Sequence, residues 1–303
     1  MINFPDIQAK TEFLYQLNGV EVSILREDLL HPLISGNKFR KLKYNLESFQ
    51  SGNYDALLTF GGAYSNHIFA VAAAGKEFGF KTIGIIRGDE LASKVNENPS
   101  LSFARECGMQ LEFISREKYR LKIQTEFLDE LKNEFGNIFI VPEGGTNEYA
   151  VKGCEEILGK HTEKYDFICC AAGTGGTVSG IINTTENHQK VLVFPALKDS
   201  EYLTDEIKRY IIRSNYEWIN DYHFGGFAKV SDELITFMNR FKEKYGVNLD
   251  PVYTSKMMFG IEDLILKNYF KKGSKILAVH TGGLQGIEGM NKKLKQKNKK
   301  EIK

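Results

Sequence analysis

Short, continuous apolar runs recur along this chain, and stretches with helical periodicity separate them. The runs are ALLTF at 56–60, TIGII at 82–86, IFIV at 138–141, FICCA at 167–171, VLVF at 191–194 and ILAV at 276–279. Helical patterns lie between them, among others at 65–79, 98–107 and 120–135. A strand with one wet face alternates apolar and polar residues; these runs do not, so both faces are covered. Strands that alternate with helices pair in parallel, and the fold class expected is therefore α/β, with mostly parallel twisted sheets flanked by helices. Glycine-rich turns near residues 60–67 and 172–180 fall at strand ends, where open α/β sheets bind ligands. Two such sets predict two sheets facing one cleft.

With 303 residues the chain can bury one large core or two modest ones. Its 40 Lys and Arg against 39 Asp and Glu leave no global field to attract nucleic acid or a membrane surface. One basic run, KKLKQKNKKEIK at 292–303, reads as a frayed, solvated helix end rather than a nucleic-acid arm. The opening MINFPDIQAK lacks a basic region followed by an apolar stretch, so no secretory leader is expected. No window approaches the ~18 uninterrupted apolar residues of a membrane span. Cys107, Cys154, Cys169 and Cys170 lack metal-ligand spacing, and the adjacent pair cannot bridge to itself. They read as small buried hydrophobes in a reducing cytoplasm, with no metal expected.

Three segments carry chemistry. In SGNKFRKLKY, at 35–44, Lys38 follows a glycine at an apparent helix start, with further cations behind it. Like charges and a helix N-terminus disfavour the ammonium, which suits a Schiff-base lysine. Lys41, a turn later, could meet an anion. Alone, this segment reads first as an ordinary basic turn on a solvated helix. In TFGGAYSNHIFAVAAAGKEFG, at 59–79, Ser65 caps a helix whose free amides suit a carboxylate. A plain capped strand–turn–helix has the same pattern, and His67 alone is more often a packing residue than a catalyst. In FICCAAGTGGTVSGII, at 167–182, a buried strand enters Gly173, Thr174, Gly175, Gly176 and Thr177. Convergent amides and two hydroxyls there suit a phosphate. Val178 breaks the dinucleotide fingerprint, and no Lys-Ser/Thr pair completes a Walker loop. Later, Tyr253 and Thr254 follow a proline in DPVYTSKMMFG, and HTGGLQG at 280–286 forms another hydroxyl-bearing turn.

The ordered series REDLLHPLISGNKFRKLKY, GGAYSNH, VPEGGTN, GTGGT, DPVYTSK and HTGG resembles the 1-aminocyclopropane-1-carboxylate (ACC) deaminase and D-cysteine desulfhydrase family. That family is a branch of the fold type II, tryptophan-synthase-β-like enzymes, which use pyridoxal 5'-phosphate. The resemblance covers most of the chain. It implies that Lys38 carries the cofactor as a Schiff base. Lys41 and the loop at 173–177 would hold the phosphate, Asn66 would lie near the phenolic oxygen, and Thr254 and Thr281 beside the pyridine nitrogen. Ser65 would lie close to the substrate, with the neighbouring amides of Asn66 and His67 taking its carboxylate, and Tyr253 would face it; with Lys38, Ser65 and Tyr253 are the catalytic candidates, either hydroxyl being placed to relay protons. The cofactor would sit between a large domain, 1–40 with 155–303, and a small inserted domain, 41–154. By the same analogy the protein pairs as a homodimer.

Departures from the family pattern bear on the reaction. ACC deaminases carry glutamate where this chain has Thr254. A carboxylate keeps the pyridine nitrogen protonated, whereas a hydroxyl leaves it nearer neutral. Phe227 stands where a second tyrosine is usual, and Ser35 and Tyr64 replace a glycine and a glutamine. The expected reaction is β-elimination from a small amino acid, D-cysteine first, giving pyruvate, ammonia and sulfide. ACC or D-serine deamination is the alternative within the same chemistry. A pyridoxal-phosphate-binding protein without catalysis, or a sugar-phosphate or nucleotide binder, are the alternatives of another class.

Overall fold

The computed structural model describes residues 4, 5, 7–198 and 201–303. The strands are β1 (Thr11–Leu17), β2 (Val20–Leu25), β3 (Ala56–Gly61), β4 (Lys81–Arg87), β5 (Gln110–Ile114), β6 (Ile138–Val141), β7 (Phe167–Ala172), β8 (Lys190–Pro195), β9 (Tyr216–Trp218) and β10 (Lys275–Val279). The helices are α1 (Asn37–Ser51), α2 (Asn66–Phe78), α3 (Pro99–Glu106), α4 (Arg116–Tyr119), α5 (Thr125–Phe135), α6 (Glu148–Cys154), α7 (Gly176–Thr184), α8 (Glu201–Lys208), α9 (Asp232–Tyr245), α10 (Thr254–Leu266) and α11 (Gly286–Gln296).

Two sheets result, six-stranded in the order β1-β2-β10-β7-β8-β9 and four-stranded in the order β5-β4-β3-β6. Every pairing is parallel except the β1–β2 hairpin at the edge of the larger sheet. The protein is thus α/β with parallel-rich sheets. All six continuous apolar runs are strands; five are interior to their sheets, and β6, at the edge of the four-stranded sheet, is buried only at its ends. In β10, Leu277 and Val279 enter one apolar cluster while Ile276 and Ala278 enter another, on the opposite face. Cys169 and Cys170 divide the same way, are buried and are free thiols.

The helical stretch expected at 120–135 is shorter, because Gln124 starts α5 and a separate turn, α4, precedes it. The C-terminal run is docked rather than frayed. Ile302 is buried, and its main chain exchanges bonds with the Asn291 side chain at 2.7 and 2.9 Å. Asn239 of α9 holds the Glu301 carbonyl and the Lys303 amide in the same fashion. An apolar anchor and two asparagine side chains outweigh the charge repulsion of the lysines around them.

On α1, Phe39, Leu42, Leu46 and Phe49 recur at helical spacing and enter the cluster shared by both sheets. Burying each stabilises the fold by roughly 1.5–3 kcal/mol. That stripe fixes the rotation of α1 about its axis, and so the direction in which Lys38 and Lys41 project. The turns after β3 and β6 meet the turns after β7 and β10 over this helix.

Candidate active site

The start of α1 is laid directly on the turn after β10. The Asn37 amide donates to the Thr281 carbonyl at 3.1 Å. Gly36 has φ 64°, and a Cβ there would collide with that same carbonyl. Only glycine allows this approach. His280 supports the turn from below: its Nε2–H donates to the Asn248 carbonyl at 2.7 Å, which leaves Nδ1 to accept from the Gly282 amide at 3.2 Å.

Lys38 Nζ donates to the Asn37 side-chain oxygen at 3.1 Å, and the Asn37 amide nitrogen donates to Thr177 Oγ1 at 2.8 Å. One asparagine therefore ties the lysine to the glycine-rich loop. Burial, reinforced by the Lys41 charge, pushes the Lys38 amine down to about 7. Lys41 is buried and donates to the Gly144 carbonyl at 3.0 Å, Thr146 Oγ1 at 3.0 Å and Thr174 Oγ1 at 3.3 Å. Burial lowers it to about 8. Thr146 and Thr174 lie 2.6 Å apart, oxygen to oxygen.

The first main-chain bond at the start of α7 runs from Ser179 N to Gly175 O. The amides of Gly176, Thr177 and Val178 therefore belong to an open first turn. A Cβ on Gly176 would come within 3.3 Å of Lys41 Nζ, and one on Gly173 within 2.9 Å of the Tyr253 ring. Side chains at either position would fill the space between the loop, the ammonium and the phenol.

Tyr253 and Thr254 are set by Asp250, whose carboxylate accepts from the amides of Val252, Tyr253 and Thr254 at 2.9, 2.9 and 2.7 Å. Burial raises the Tyr253 phenol well above its ordinary value, so it stays protonated. Thr254 is fully buried, and its Oγ1 has no hydrogen-bond partner among the described residues. Phe227 stands edge-on to Tyr253, with ring centroids 6.2 Å apart.

Across the cleft, Ser65 Oγ caps α2 by accepting from the Ile68 amide at 3.2 Å, leaving the Asn66 and His67 amides in an open first turn. The Asn66 side-chain oxygen accepts from Gln285 Nε2 at 2.9 Å, linking the two sheets' turns. His67 is turned away. The Thr59 hydroxyl donates to the Val141 carbonyl at 2.9 Å, so at 2.8 Å it can only accept from His67 Nε2–H. Burial and the charges of Lys38 and Lys41 hold the imidazole neutral. Its contribution to the cleft is its main-chain amide. Of the unusual residues, Ser35 donates to the Asp28 carbonyl, and the Tyr64 ring rests against Gly289 beneath Lys293 Nζ.

The geometry thus brings Lys38, Lys41, Thr174, Thr177 and Thr281 around the start of α1, with Tyr253 over Gly173. Asn37, Thr146, Asp250 and Gln285 belong to the same network and were not anticipated from sequence. An aspartate two to four residues before the amides at a helix start is a readable capping signal for Asp250. Thr146, in VPEGGTN, gives no sign in sequence that it faces Lys41. The residues present fit pyridoxal phosphate: a buried ammonium and open amides for the phosphate, an unpartnered hydroxyl for a ring nitrogen, and a lysine amine that readily loses its proton near pH 7.

A largely enclosed, readily neutralised lysine beside an anion loop, between two parallel-rich sheets, defines a fold type II pyridoxal-phosphate enzyme. A family model described as pyridoxal-phosphate dependent enzyme matches residues 9–282. A bifunctional D-cysteine desulfhydrase/ACC deaminase, mitochondrial, of Arabidopsis thaliana is 31% identical over 89% of this chain and 74% of its own length. An ACC deaminase of Rhizobium rhizogenes is 27% identical over 89% of each chain. A crystal structure of an ACC deaminase homologue superposes with a TM-score of 0.83 at 28% identity, covering 97% of this chain and 95% of the other. The chain belongs to the pyridoxal-phosphate-dependent enzymes, in the ACC deaminase and D-cysteine desulfhydrase family, and is a lyase or deaminase. Among the described residues, no helix is long and apolar enough to cross a membrane.

Proposed function

We propose that the protein catalyses β-elimination from a small D-amino acid, with D-cysteine and water giving pyruvate, ammonia and hydrogen sulfide. The observation that carries this reading is Thr254, a buried neutral hydroxyl without a partner where a carboxylate would demand a protonated ring nitrogen. A sulfide leaving group needs less electron withdrawal than opening a cyclopropane ring.

In this reading Lys38 carries the cofactor. Lys41 and the loop of Gly173, Thr174, Gly175, Gly176 and Thr177 hold its phosphate, Asn66 its phenolic oxygen, and Thr254 and Thr281 its ring nitrogen. Pyridoxal phosphate, when bound, supplies the electron sink for charge left at the substrate Cα. Lys38 Nζ, held down to about 7 and so readily deprotonated, accepts the proton from Cα. Ser65 and the open amides of Asn66 and His67 bind the carboxylate at the α2 N-terminus. Tyr253, kept protonated by burial, acts as a donor toward the departing sulfur rather than as a base. Residues 41–154, which hold the whole four-stranded sheet, form the inserted domain whose closure excludes water.

The test is release of sulfide and pyruvate from D-cysteine by wild type and by Lys38→Ala. Equal rates in the two proteins overturn the reading. The second reading, ACC deamination, is favoured by the names of the relatives. Production of 2-oxobutyrate from ACC by wild type, without any sulfide from D-cysteine, would put it first.

A further inference from the structure

Lys256 lies three residues beyond Tyr253 on α10, and only 2% of it is exposed. Its ammonium donates to the carbonyls of His223 and Gly226, both at 2.8 Å, and reaches the Ala196 carbonyl at 3.5 Å. Among the described residues no carboxylate pairs with it; Asp250 acts on it only through space. A buried charge without a counter-ion is costly unless dipoles replace its water. Here main-chain carbonyls do so, in the manner in which proteins strip and hold alkali cations.

The segment those carbonyls belong to is unusual. Phe224, Gly225, Gly226 and Ala228 have φ of 52°, 87°, 111° and 54°. Two of the four are not glycine, so the turn is not one its own sequence prefers, and something outside must over-determine it. Its outward product is Phe227, 50% exposed, with its ring edge-on to Tyr253. The inward-facing carbonyls and the outward-facing phenylalanine are set by the same backbone.

We propose that Lys256 is a tethered cation in a main-chain carbonyl site, fixing the turn at 223–229 so that Phe227 walls the substrate side of Tyr253. It is a positioning residue, and its kinetic consequence rests on the amino-acid-site reading above. The turn itself does not depend on that reading.

The experiment compares wild type, Lys256→Ala and Lys256→Met holoenzymes in choline chloride and in potassium chloride at equal ionic strength. In choline, both variants should exchange the amides of 223–229 at least tenfold faster, and KM for D-cysteine should rise about tenfold with kcat less affected. Potassium should restore both in Lys256→Ala, where the space is vacated. It should restore neither in Lys256→Met, where the side chain fills it, and wild type should be indifferent. Unchanged exchange in folded variants, or no response of Lys256→Ala to potassium, overturns the proposal. Should neither variant fold, Phe227→Ala decides: a KM rise of about tenfold without a potassium response supports the wall, and an unaltered KM overturns it. If wild type turns over no amino acid, the proposed function fails, while the exchange measurement still decides the role of Lys256.

Discussion

Replacing Lys38 with methionine in the cofactor-free protein should make it more stable. Burial and the Lys41 charge hold the Lys38 amine at about 7 instead of 10.5. At about 1.4 kcal/mol for each pH unit of displacement, the ceiling on the cost is ~5 kcal/mol. Lys38 is not fully enclosed, and water in the cleft screens its charge, so about 2 kcal/mol is the working figure. Between about pH 7 and 10.5 the unfolded chain holds a proton that the folded chain has released, so wild-type stability rises with pH across that window. Below about 7 the penalty is complete, and by about 10.5 it is gone. Methionine keeps the unbranched side chain out to Cε and removes the charged nitrogen. Urea denaturation of both proteins should therefore show an advantage of about 2 kcal/mol for Lys38→Met near neutral pH, closing as pH rises toward 10.5. An advantage absent at about pH 6, or one that widens in alkali, would refute the electrostatic account of this lysine.

Two further outcomes follow from the same geometry. Thr254→Val should leave the cofactor-free protein within about 0.5 kcal/mol of wild type, because the lost hydroxyl has no partner among the described residues, yet shift the absorbance band of the loaded enzyme. Destabilisation beyond that in thermal melts would mean that the hydroxyl serves the fold. Gly36→Ala should cost more than about 3 kcal/mol or abolish folding, since positive φ and a collision with the Thr281 carbonyl coincide; a normal melting curve would contradict the close approach of α1 to that turn.

The central strands were legible because burial on both faces writes itself as uninterrupted apolar sequence. β1 and β5 escaped for the opposite reason: their burial is partial, and Glu12, Gln16 and Glu112 interrupt them. In β2, Glu21 and Ser23 break the apolar run although most of the strand is buried, and β9 is only three residues long. In the site, Lys38, Lys41 and the loop at 173–177 were readable because lysines beside glycines and threonines are chemically distinctive. Asn37 and Thr146 were not, since their importance lies in what faces them: Thr177 is 140 positions from Asn37, and Lys41 is 105 from Thr146. The neutral state of His67 is likewise a property of its burial and of the Lys38 and Lys41 charges, and its ring is oriented by Thr59 and Val141, which no local pattern announces.

Gly153 and Gly180 have a consequence for motion. A Cβ at Gly153 would strike the Arg40 carbonyl, and one at Gly180 would come within 2.6 Å of Cys154. The backbones of α1, α6 and α7 therefore nearly touch, with no side-chain layer to lubricate sliding between them. This three-helix seam is a fulcrum. An opening of the four-stranded sheet away from the six-stranded one would hinge there, moving Lys41 little and the far rim, where Tyr64 meets Gly289, most. In the proposed reading, such a hinge would hold the phosphate end of the cleft shut while the amino-acid end opens.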